Sequence, residues 1–445
     1  MKTPIKDFVE EYVDRSPVRF HMPGHKGAPF IGCEKWDITE ISGMNSLYAN
    51  DGIICKSEEN ASLLFGCPTF YSTEGSSQCI KAMSFLVCKY AKSIGRKPII
   101  ASFRNAHSSF ISASVLVDFD IQWIYSSGNN YLSCEVDYQN LDGILSQMEE
   151  KPIALLVTSP DYMGQIYDIS SIAKVCHKHQ ILLLVDNAHG AYLKFLKNSQ
   201  FPIDLGADLV CDSAHKTMPV LTGGAYLHLS PSLPKFFTDE VKSSMALFGS
   251  TSPSFLILQS LDQNNLYLYT TYKDKLSCVI SKINETKEVL CKMGYDVEDS
   301  EPLKIVVNTA KYGYTGSDFA DILMKEKVYC EFYDRNFIIF MISPENSLSD
   351  FDLFINAMSK ISSKDSIYTI PPSLSSYQTL AKTKDVAFSS WEILPIEKCE
   401  NKIFADWNIA CPPAVCPIVC GERITKEIIH LLSYYGIEKC KVVKE

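Results

Sequence analysis

The first half of the chain alternates short apolar runs with segments in which apolar residues recur every three or four positions. Continuous apolar runs of four to eight residues are typical of strands buried on both faces of a parallel sheet, whereas the longer period indicates amphipathic helices. The predicted strands are at 98–101, 153–157, 181–185, 209–211 and 221–228, and the predicted helices at 4–15, 57–65, 79–90 and 169–179. This alternation predicts a doubly wound α/β domain with its ligand site at the carboxyl ends of the strands.

The pattern changes from about Asp262 onward. A long helical stretch to Met293 precedes apolar runs at 304–307, 328–332 and 337–341, which predict a smaller α+β domain. The serine- and proline-rich segment 362–376 is the best candidate linker. The predicted organisation is an N-terminal arm (1–35), a large α/β domain with the candidate site (36–262), a small α+β domain (263–362) and a C-terminal segment (363–445).

Composition narrows the classes of function. The 445 residues are 46% hydrophobic and 21% charged, which is typical of a globular protein with room for two or three domains. The formal charge of -10 and the lack of a basic run argue against a nucleic-acid partner. The N-terminus has no apolar leader, and no stretch reaches the ~20 apolar residues of a membrane span. We therefore expect a cytoplasmic protein without a membrane partner.

The cysteines predict neither disulfides nor a metal centre. Sixteen are scattered from Cys33 to Cys440 without a CxxC pair, so we expect reduced, mostly buried thiols. The closest group, Cys411, Cys416 and Cys420, lacks the short paired spacing of a zinc site.

Two strand ends carry the main chemical signal. Asp186 ends the apolar run 181–185, and Lys216 follows the run 209–211 after a few residues. Pyridoxal phosphate needs a lysine for its resting Schiff base and an anionic partner for its ring nitrogen, which Lys216 and Asp186 can supply. The alternative is that Asp186 caps a helix and Lys216 is solvated.

Further candidates fit the same cofactor. Gly75, Ser76 and Ser77 open a predicted helix, whose first backbone N–H groups and hydroxyls can bind a phosphate. A serine or histidine just before the lysine can also donate to that phosphate. His107 stands at a strand exit, where it can stack on a flat ring or cap a helix.

Together these motifs resemble the bacterial Orn/Lys/Arg decarboxylases, pyridoxal-phosphate enzymes of the aspartate-aminotransferase fold (fold type I). The matching segments are Phe20–Gly27, Asp37–Glu40, Gly75–Ser77, Asp186–Gly190, Ser213–Thr217, Ser250–Ser254 and Pro412–Glu422. The resemblance covers nearly the whole chain and is closest to short members without an N-terminal wing domain.

The resemblance implies a role for each matched residue. Lys216 forms the Schiff base, Asp186 pairs with the ring nitrogen, and His107 stacks on the ring. The expected phosphate ligands are Gly75, Ser76, Ser77, Ser213 and His215, with His189 beside the cofactor. Thr251 and Ser252 resemble the pair that reaches the phosphate of a neighbouring subunit, which implies a homodimer with shared active sites.

Three departures from the family pattern affect the surroundings of the site. The family usually has Glu where this chain has Asn187, Gln-Thr where it has Gly223-Gly224, and paired aspartates near Asn45. These changes bear on the substrate more than on cofactor binding.

The implied reaction is α-decarboxylation of arginine, lysine or ornithine to an amine and CO2, a step of polyamine biosynthesis. Lys216, His189 and Asp186 are the expected catalytic residues, and Glu422 is a candidate contact for the distal cation of the substrate. An aminotransferase would need an arginine for the substrate carboxylate, for which Arg335 and Arg423 are candidates. A β-lyase or aldolase with the same cofactor and a non-catalytic relative are further alternatives.

Overall fold

The computed structural model describes residues 1–125, 131–134, 137–374, 377–407 and 414–444. In chain order its helices are α1 (Pro4–Asp14), α2 (Gly52–Phe65), α3 (Gly75–Ser93), α4 (Ser108–Val117), α5 (Tyr138–Gln147), α6 (Ile169–Lys178), α7 (Ala214–Thr217), α8 (Lys235–Ala246), α9 (Phe255–Thr270), α10 (Tyr272–Lys292), α11 (Gly316–Lys325), α12 (Leu348–Ser359), α13 (Thr383–Ala387) and α14 (Lys426–Tyr434). The strands are β1 (Thr69–Ser72), β2 (Ile99–Phe103), β3 (Asp120–Ile124), β4 (Ala154–Thr158), β5 (Leu182–Asp186), β6 (Leu209–Asp212), β7 (Ala225–Leu229), β8 (Val297–Glu298), β9 (Lys304–Asn308), β10 (Phe332–Tyr333), β11 (Phe337–Met341), β12 (Trp391–Pro395) and β13 (Lys439–Val443). This mixed α/β architecture with a large, mostly parallel sheet confirms the predicted fold class.

The chain divides into two compact units. The first comprises Met1–Pro98, Glu149–Leu156 and Asp168–Lys275, and the second comprises Ile99–Met148, Val157–Tyr167 and Leu276–Glu445. The four-part division expected from the sequence stays a prediction.

Strand direction in the first unit brings three strand ends to one edge. The order of these strands is β1-β7-β6-β5. β5 and β6 are parallel, with Asp186 opposite Cys211, and β7 runs antiparallel to both β6 and β1. β1 therefore runs in the same direction as β6. As a result, the carboxyl ends of β1, β5 and β6 lie together, and each leads into one of the predicted site segments.

Helix α3 begins where the Gly-Ser-Ser turn predicted it. Its apolar stripe is buried, so packing of that face fixes the helix on the unit's core. The buried stripe includes Cys79, Ile80, Met83, Leu86 and Val87. The first turn of the helix stays at the sheet edge, with Ser76 and Ser77 only partly buried.

In the second unit, β2 and β3 are parallel neighbours within the large sheet, and β10, β11, β9 and β8 form a four-stranded antiparallel sheet in that order. β12 and β13 form an antiparallel ribbon from Trp391↔Val443 to Pro395↔Lys439. A cluster around Ile418, Ile424 and Leu432 packs beside this ribbon.

Three sequence predictions needed correction. The helix expected from Ser57 begins at Gly52, because Ile54 joins Ala61 and Phe65 on its buried face. The long helical stretch after Asp262 is two helices, α9 and α10, separated at Thr271.

The third correction concerns the strand predicted at 328–332. It is reduced to the two residues of β10. Lys327 adopts a left-handed φ of 64°, and Tyr329 is 75% exposed, so the segment before β10 is a turn at the surface.

Helix α2 contributes a buried ion pair to the first unit. Lys242 Nζ on α8 lies 2.7 Å from Glu58 Oε2, and both side chains are less than 10% exposed. Glu58 Oε1 also accepts the backbone N–H of Tyr71 at 3.0 Å. Burial raises the pKa of Glu58 to about 7, although Lys242 acts in the opposite direction.

This raised pKa predicts a pH-dependent stability. The folded state binds the Glu58 proton more tightly than the unfolded chain, whose pKa is near 4.5. The stabilisation is therefore complete below about pH 4.5 and is lost as the pH rises through about 7. We expect urea unfolding free energies to fall more for the wild type than for Glu58→Gln between about pH 5 and pH 8. Equal slopes for the two proteins would contradict the prediction.

Candidate active site

Lys216 and His189 meet at the common strand edge. Lys216 lies in α7, a single helical turn immediately after β6. His189 follows the end of β5 by three residues and is 5% exposed. Lys216 Nζ is 3.0 Å from His189 Nε2. The pair therefore places a primary amine and an imidazole within proton-transfer distance.

Asp186 is the last residue of β5 and is 3% exposed, at the strand end where the sequence predicted it. Its Oδ1 accepts the backbone N–H of Ala188 at 3.2 Å and the thiol of Cys211 at 3.6 Å. Burial and the Asp186 carboxylate raise the pKa of Cys211 well above its usual value, so this thiol stays protonated and donates. Neither bond involves Oδ2, which keeps an acceptor for a further N–H.

The amino end of α3 forms an anion cradle. Ser213 Oγ donates to Ser76 Oγ at 2.8 Å, which brings the segment before Lys216 against the first turn of the helix. Glu74 at the N-cap makes no side-chain hydrogen bond to this turn. The first N–H groups of a 19-residue helix and two hydroxyls thus converge, an arrangement suited to a phosphate.

Gly223 and Gly224 tie this cradle to the lysine segment. The N–H of Gly75 donates to Gly223 O at 2.8 Å, and His215 Nδ1 lies 2.9 Å from Gly224 O. Because a carbonyl only accepts, Nδ1 carries the proton and Nε2 is the nitrogen left for a ligand. Burial lowers the pKa of His215, with Lys216 adding to the effect. Gly223 and Gly224, which depart from the family pattern, therefore hold the site segments together through their backbone carbonyls.

Gly223→Ala is expected to weaken this support. The φ of Gly223 is 100°, and a Cβ there would lie 2.9 Å from Thr73 O. We expect a loss of about 1–3 kcal/mol in unfolding free energy together with weaker cofactor binding. Gly95→Ala is the matched control, since its φ is 73° but a Cβ would meet nothing within 4 Å. Equal effects of both substitutions in urea melts and cofactor titrations would contradict the role of Gly223.

Thr251 and Ser252 lie in an exposed turn before α9. The N–H of Ser252 donates to Ser250 Oγ at 3.0 Å, and Ser254 caps α9 through its hydroxyl. The turn is fixed at its base while both predicted phosphate ligands face outward. Their contact with a second subunit stays a prediction.

Two predicted site residues belong to the second unit. His107 caps α4 through Nδ1, which accepts the N–H of Ser109 at 3.2 Å. Its stacking on the cofactor ring stays a prediction. Glu422 is 1% exposed, and its two carboxylate oxygens lie 2.7 and 3.0 Å from the guanidinium of Arg104. Its Oε2 also accepts the N–H of Val419. This pairing favours a structural role for Glu422 over a substrate contact.

The first unit thus fits the cofactor predicted from the sequence. It combines a lysine amine, a buried carboxylate with a spare oxygen, and a helix amino end lined by hydroxyls. In the part of the chain that the structure describes, no group of three His, Cys, Asp or Glu side chains is placed to hold a metal. Cys411, Pro412 and Pro413 lie outside that part.

The sequence did not indicate the partners of these residues. Side chains alternate between the two faces of a strand, and this alternation could have indicated that Cys211 and Asp186, on neighbouring strands, lie on the same face of the sheet. The carbonyls of Gly223 and Gly224 leave no side-chain signal.

Among the known proteins that this chain resembles in sequence are decarboxylases of basic amino acids. Residues 3–309 match the family described as Orn/Lys/Arg decarboxylase, major domain. An arginine decarboxylase of Bacillus subtilis is 28% identical over 97% of this chain and 93% of its own length. An arginine decarboxylase of Halalkalibacterium halodurans is also 28% identical, over 96% and 91% of the two chains.

Solved structures show the same fold at lower identity. Lysine decarboxylase A from Pseudomonas aeruginosa superposes with a TM-score of 0.82 at 14% identity, covering 99% of this chain and 80% of its own. The constitutive lysine decarboxylase of E. coli gives a TM-score of 0.78 at 14% identity, over 100% and 82% of the two chains.

Proposed function

The chain belongs to the Orn/Lys/Arg decarboxylase family, and we propose that it is a pyridoxal-phosphate-dependent α-decarboxylase of a basic amino acid, with arginine as the first substrate to test. The observation that carries the proposal is the Lys216–His189 pair beside buried Asp186 in a chain of this family. Arginine comes first because relatives covering almost the whole chain are named arginine decarboxylases.

Different residues of the first unit would bind different parts of the cofactor. Lys216 Nζ would hold the aldehyde carbon of the cofactor, and Asp186 Oδ2 would keep a proton on its ring nitrogen. The N–H groups of Ser76 and Ser77, the hydroxyls of Ser76 and Ser213, and His215 Nε2 would hold its phosphate. When bound, pyridoxal phosphate supplies a ring that accepts the electron pair left as CO2 departs.

Lys216 and His189 would then hold the proton that replaces CO2 on the substrate carbon. At 3.0 Å, Nζ and Nε2 can share one proton, and either can deliver it to the carbon that loses CO2. Asp186 Oδ1 accepts from the Cys211 thiol and the Ala188 N–H, which leaves Oδ2 for the ring nitrogen. This carboxylate favours a protonated ring nitrogen throughout turnover.

The experiment that tests the proposal offers one amino acid at a time to the cofactor-loaded protein. CO2 and amine release are measured with arginine, lysine and ornithine in parallel. We expect one of the three, with arginine first, to give CO2 and amine in equal amounts. Release of a keto acid in place of CO2 would reject the decarboxylase in favour of an aminotransferase.

We also propose a homodimer in which Thr251 and Ser252 complete the partner's phosphate site. Both side chains are exposed, although the turn that carries them is fixed by Ser250 and Ser254. A rigid turn with outward-facing hydroxyls suits a contact made by a second copy of the chain.

Mixing two inactive variants tests this arrangement. A heterodimer of Lys216→Ala and Ser252→Ala chains has one site with Lys216 from one chain and Ser252 from the other. We expect a mixture unfolded and refolded together to show activity at about one quarter of its sites. If Ser252 acts within its own chain, the mixture will show no more activity than the two variants measured separately.

A cytoplasmic location is part of the proposal. In the described ranges, no helix is long and apolar enough to cross a membrane. The cysteines that the structure describes are free thiols, most of them buried, which fits a reducing compartment.

A further inference from the structure

One buried hydrogen bond joins the two segments that carry Asp186 and Lys216. Asn187 Nδ2 donates to Asp212 Oδ1 at 2.7 Å, and neither side chain has exposed surface. Asn187 directly follows Asp186, and Asp212 directly precedes Ser213, at the start of the turn to Lys216. The bond therefore spans the ends of two neighbouring parallel strands at the point where both deliver their functional residues.

His228 on β7 supports this bond from the other side of Asp212. Its Nε2 lies 3.1 Å from Asp212 Oδ2, and its Nδ1 lies 2.9 Å from the hydroxyl of Thr69. That hydroxyl donates its single proton to Cys67 O at 3.0 Å, so it can only accept from Nδ1. Because Nε2 faces a carboxylate, both ring nitrogens carry protons, and His228 is an imidazolium.

The charge of His228 is consistent with its surroundings. Burial alone would lower the pKa of His228, but the adjacent Asp212 carboxylate raises it to about 9. The rings of Phe65, Phe201 and Tyr226 surround the imidazole and exclude water from the pair. Asp212 and His228 thus form an ion pair in which neither side chain is exposed to solvent.

This ion pair explains the amide at position 187. A carboxylate there would face the Asp212 carboxylate at hydrogen-bond distance, where two like charges repel strongly. An amide nitrogen instead donates to it. The departure of Asn187 from the family's usual glutamate is therefore matched to the negative charge of Asp212.

Alternation along the strands separates this network from the cofactor face. Successive side chains point to opposite faces of a sheet, so Asp186 and Cys211 share one face while Asn187 and Asp212 share the other. His228 lies two residues beyond Tyr226, the residue paired with Asp212, and so faces the same way as Asp212. Asn187 and Asp212 are joined through the backbone to their chain neighbours Asp186 and Ser213.

We propose that Asp212, paired with His228 and bonded to Asn187, is a positioning residue that fixes the Asp186 carboxylate relative to the Lys216 amine. This inference rests on the proposed cofactor site and deepens it. Asp212 contacts neither the cofactor nor the substrate; it sets the separation of the two strand ends that do.

Cofactor titration into the apoprotein provides the first test. Asp212→Asn removes the charge that His228 neutralises, and we expect it to weaken pyridoxal phosphate affinity on the order of tenfold or more. It should also reduce the circular dichroism of the bound cofactor, which reports how rigidly the cofactor is held. Asp208→Asn is the matched control, because Asp208 is also buried, at 5% exposure, and bonds His177 and Leu183 at the other end of β6.

The control separates positioning from stability. Both variants should lower the melting temperature of the apoprotein, but only Asp212→Asn should change affinity and dichroism. If Asp208→Asn changes them equally, or if Asp212→Asn leaves both at the wild-type values, Asp212 has no positioning role.

A rescue experiment keeps the proposal testable if Asp212→Asn folds poorly. Asn187→Asp should weaken cofactor affinity as Asp212→Asn does, because it places two carboxylates together. The double variant Asn187→Asp/Asp212→Asn restores a bond between a carboxylate and an amide, and we expect it to regain affinity over Asn187→Asp. Failure of the double variant to improve on Asn187→Asp would overturn the proposal.

These measurements are independent of the substrate. If the wild type binds pyridoxal phosphate but releases no CO2 from any basic amino acid, the proposed function fails. The effects on affinity and dichroism would still decide the role of Asp212.

Discussion

Lys216→Ala is expected to lower CO2 release by roughly 10³-fold or more, because one residue supplies both the covalent hold on the cofactor and a proton donor. The amine lies 3.0 Å from His189 Nε2, and an alanine leaves that imidazole without its partner in proton transfer. We also expect loss of the visible absorption band of the lysine-bound cofactor. The phosphate cradle stays intact, so the variant should still bind the cofactor, more weakly.

Two comparisons make this prediction specific. Lys216→Arg keeps the positive charge but cannot hold the aldehyde carbon, so it should lose the band as the alanine variant does. Lys194→Ala removes a lysine of the same unit that pairs with Asp204 at 2.8 Å, and it should retain both band and activity. An unchanged band in Lys216→Ala would show that another residue holds the cofactor.

Asp186→Asn is expected to reduce turnover by about 10²–10⁴-fold while leaving Lys216 able to hold the cofactor. An amide cannot stabilise a protonated ring nitrogen, so the ring accepts the electron pair less readily. The substitution also places an amide against the Cys211 thiol and the Ala188 N–H, which both donate to the carboxylate. The main loss should therefore appear in kcat.

The measurement is a steady-state comparison with the same protein loaded to saturation. Asp186→Glu keeps the charge and should recover part of the loss, whereas Asp208→Asn, which lies at the opposite end of β6, should leave kcat within a few fold of the wild type. If Asp186→Asn and Asp208→Asn have the same kcat, the carboxylate of Asp186 does not act on the ring.

The sequence predicted the core of the site because its signals are local. Asp186 ends a short apolar run, and the structure ends β5 at this residue. Gly75, Ser76 and Ser77 precede an amphipathic stripe, and α3 begins at Gly75. Burial of apolar runs dictates where strands end, and strand ends dictate which polar side chains come together.

Other features depend on contacts between residues distant in the chain. Glu422 was expected to meet a substrate cation, but Arg104, more than 300 positions away, lies within 3.0 Å of both of its oxygens. Asn187 looked like an isolated departure until the fold placed Asp212 and His228 beside it. No period or motif encodes such pairs.

The strand prediction at 328–332 was wrong because this segment is not buried. The apolar run at 328–332 has strand composition, yet Tyr329 is exposed, and only Phe332 and Tyr333 pair with a neighbour. The preference of such residues for strands comes from packing their side chains against neighbouring residues, and this exposed segment lacks that packing.

We propose that this chain removes the α-carboxylate of a basic amino acid. Its most direct test is to supply the cofactor-loaded protein with carboxyl-labelled arginine and measure labelled CO2 and amine together. We expect equal amounts of both from the wild type, and neither from Lys216→Ala. A labelled keto acid with no CO2 would contradict it.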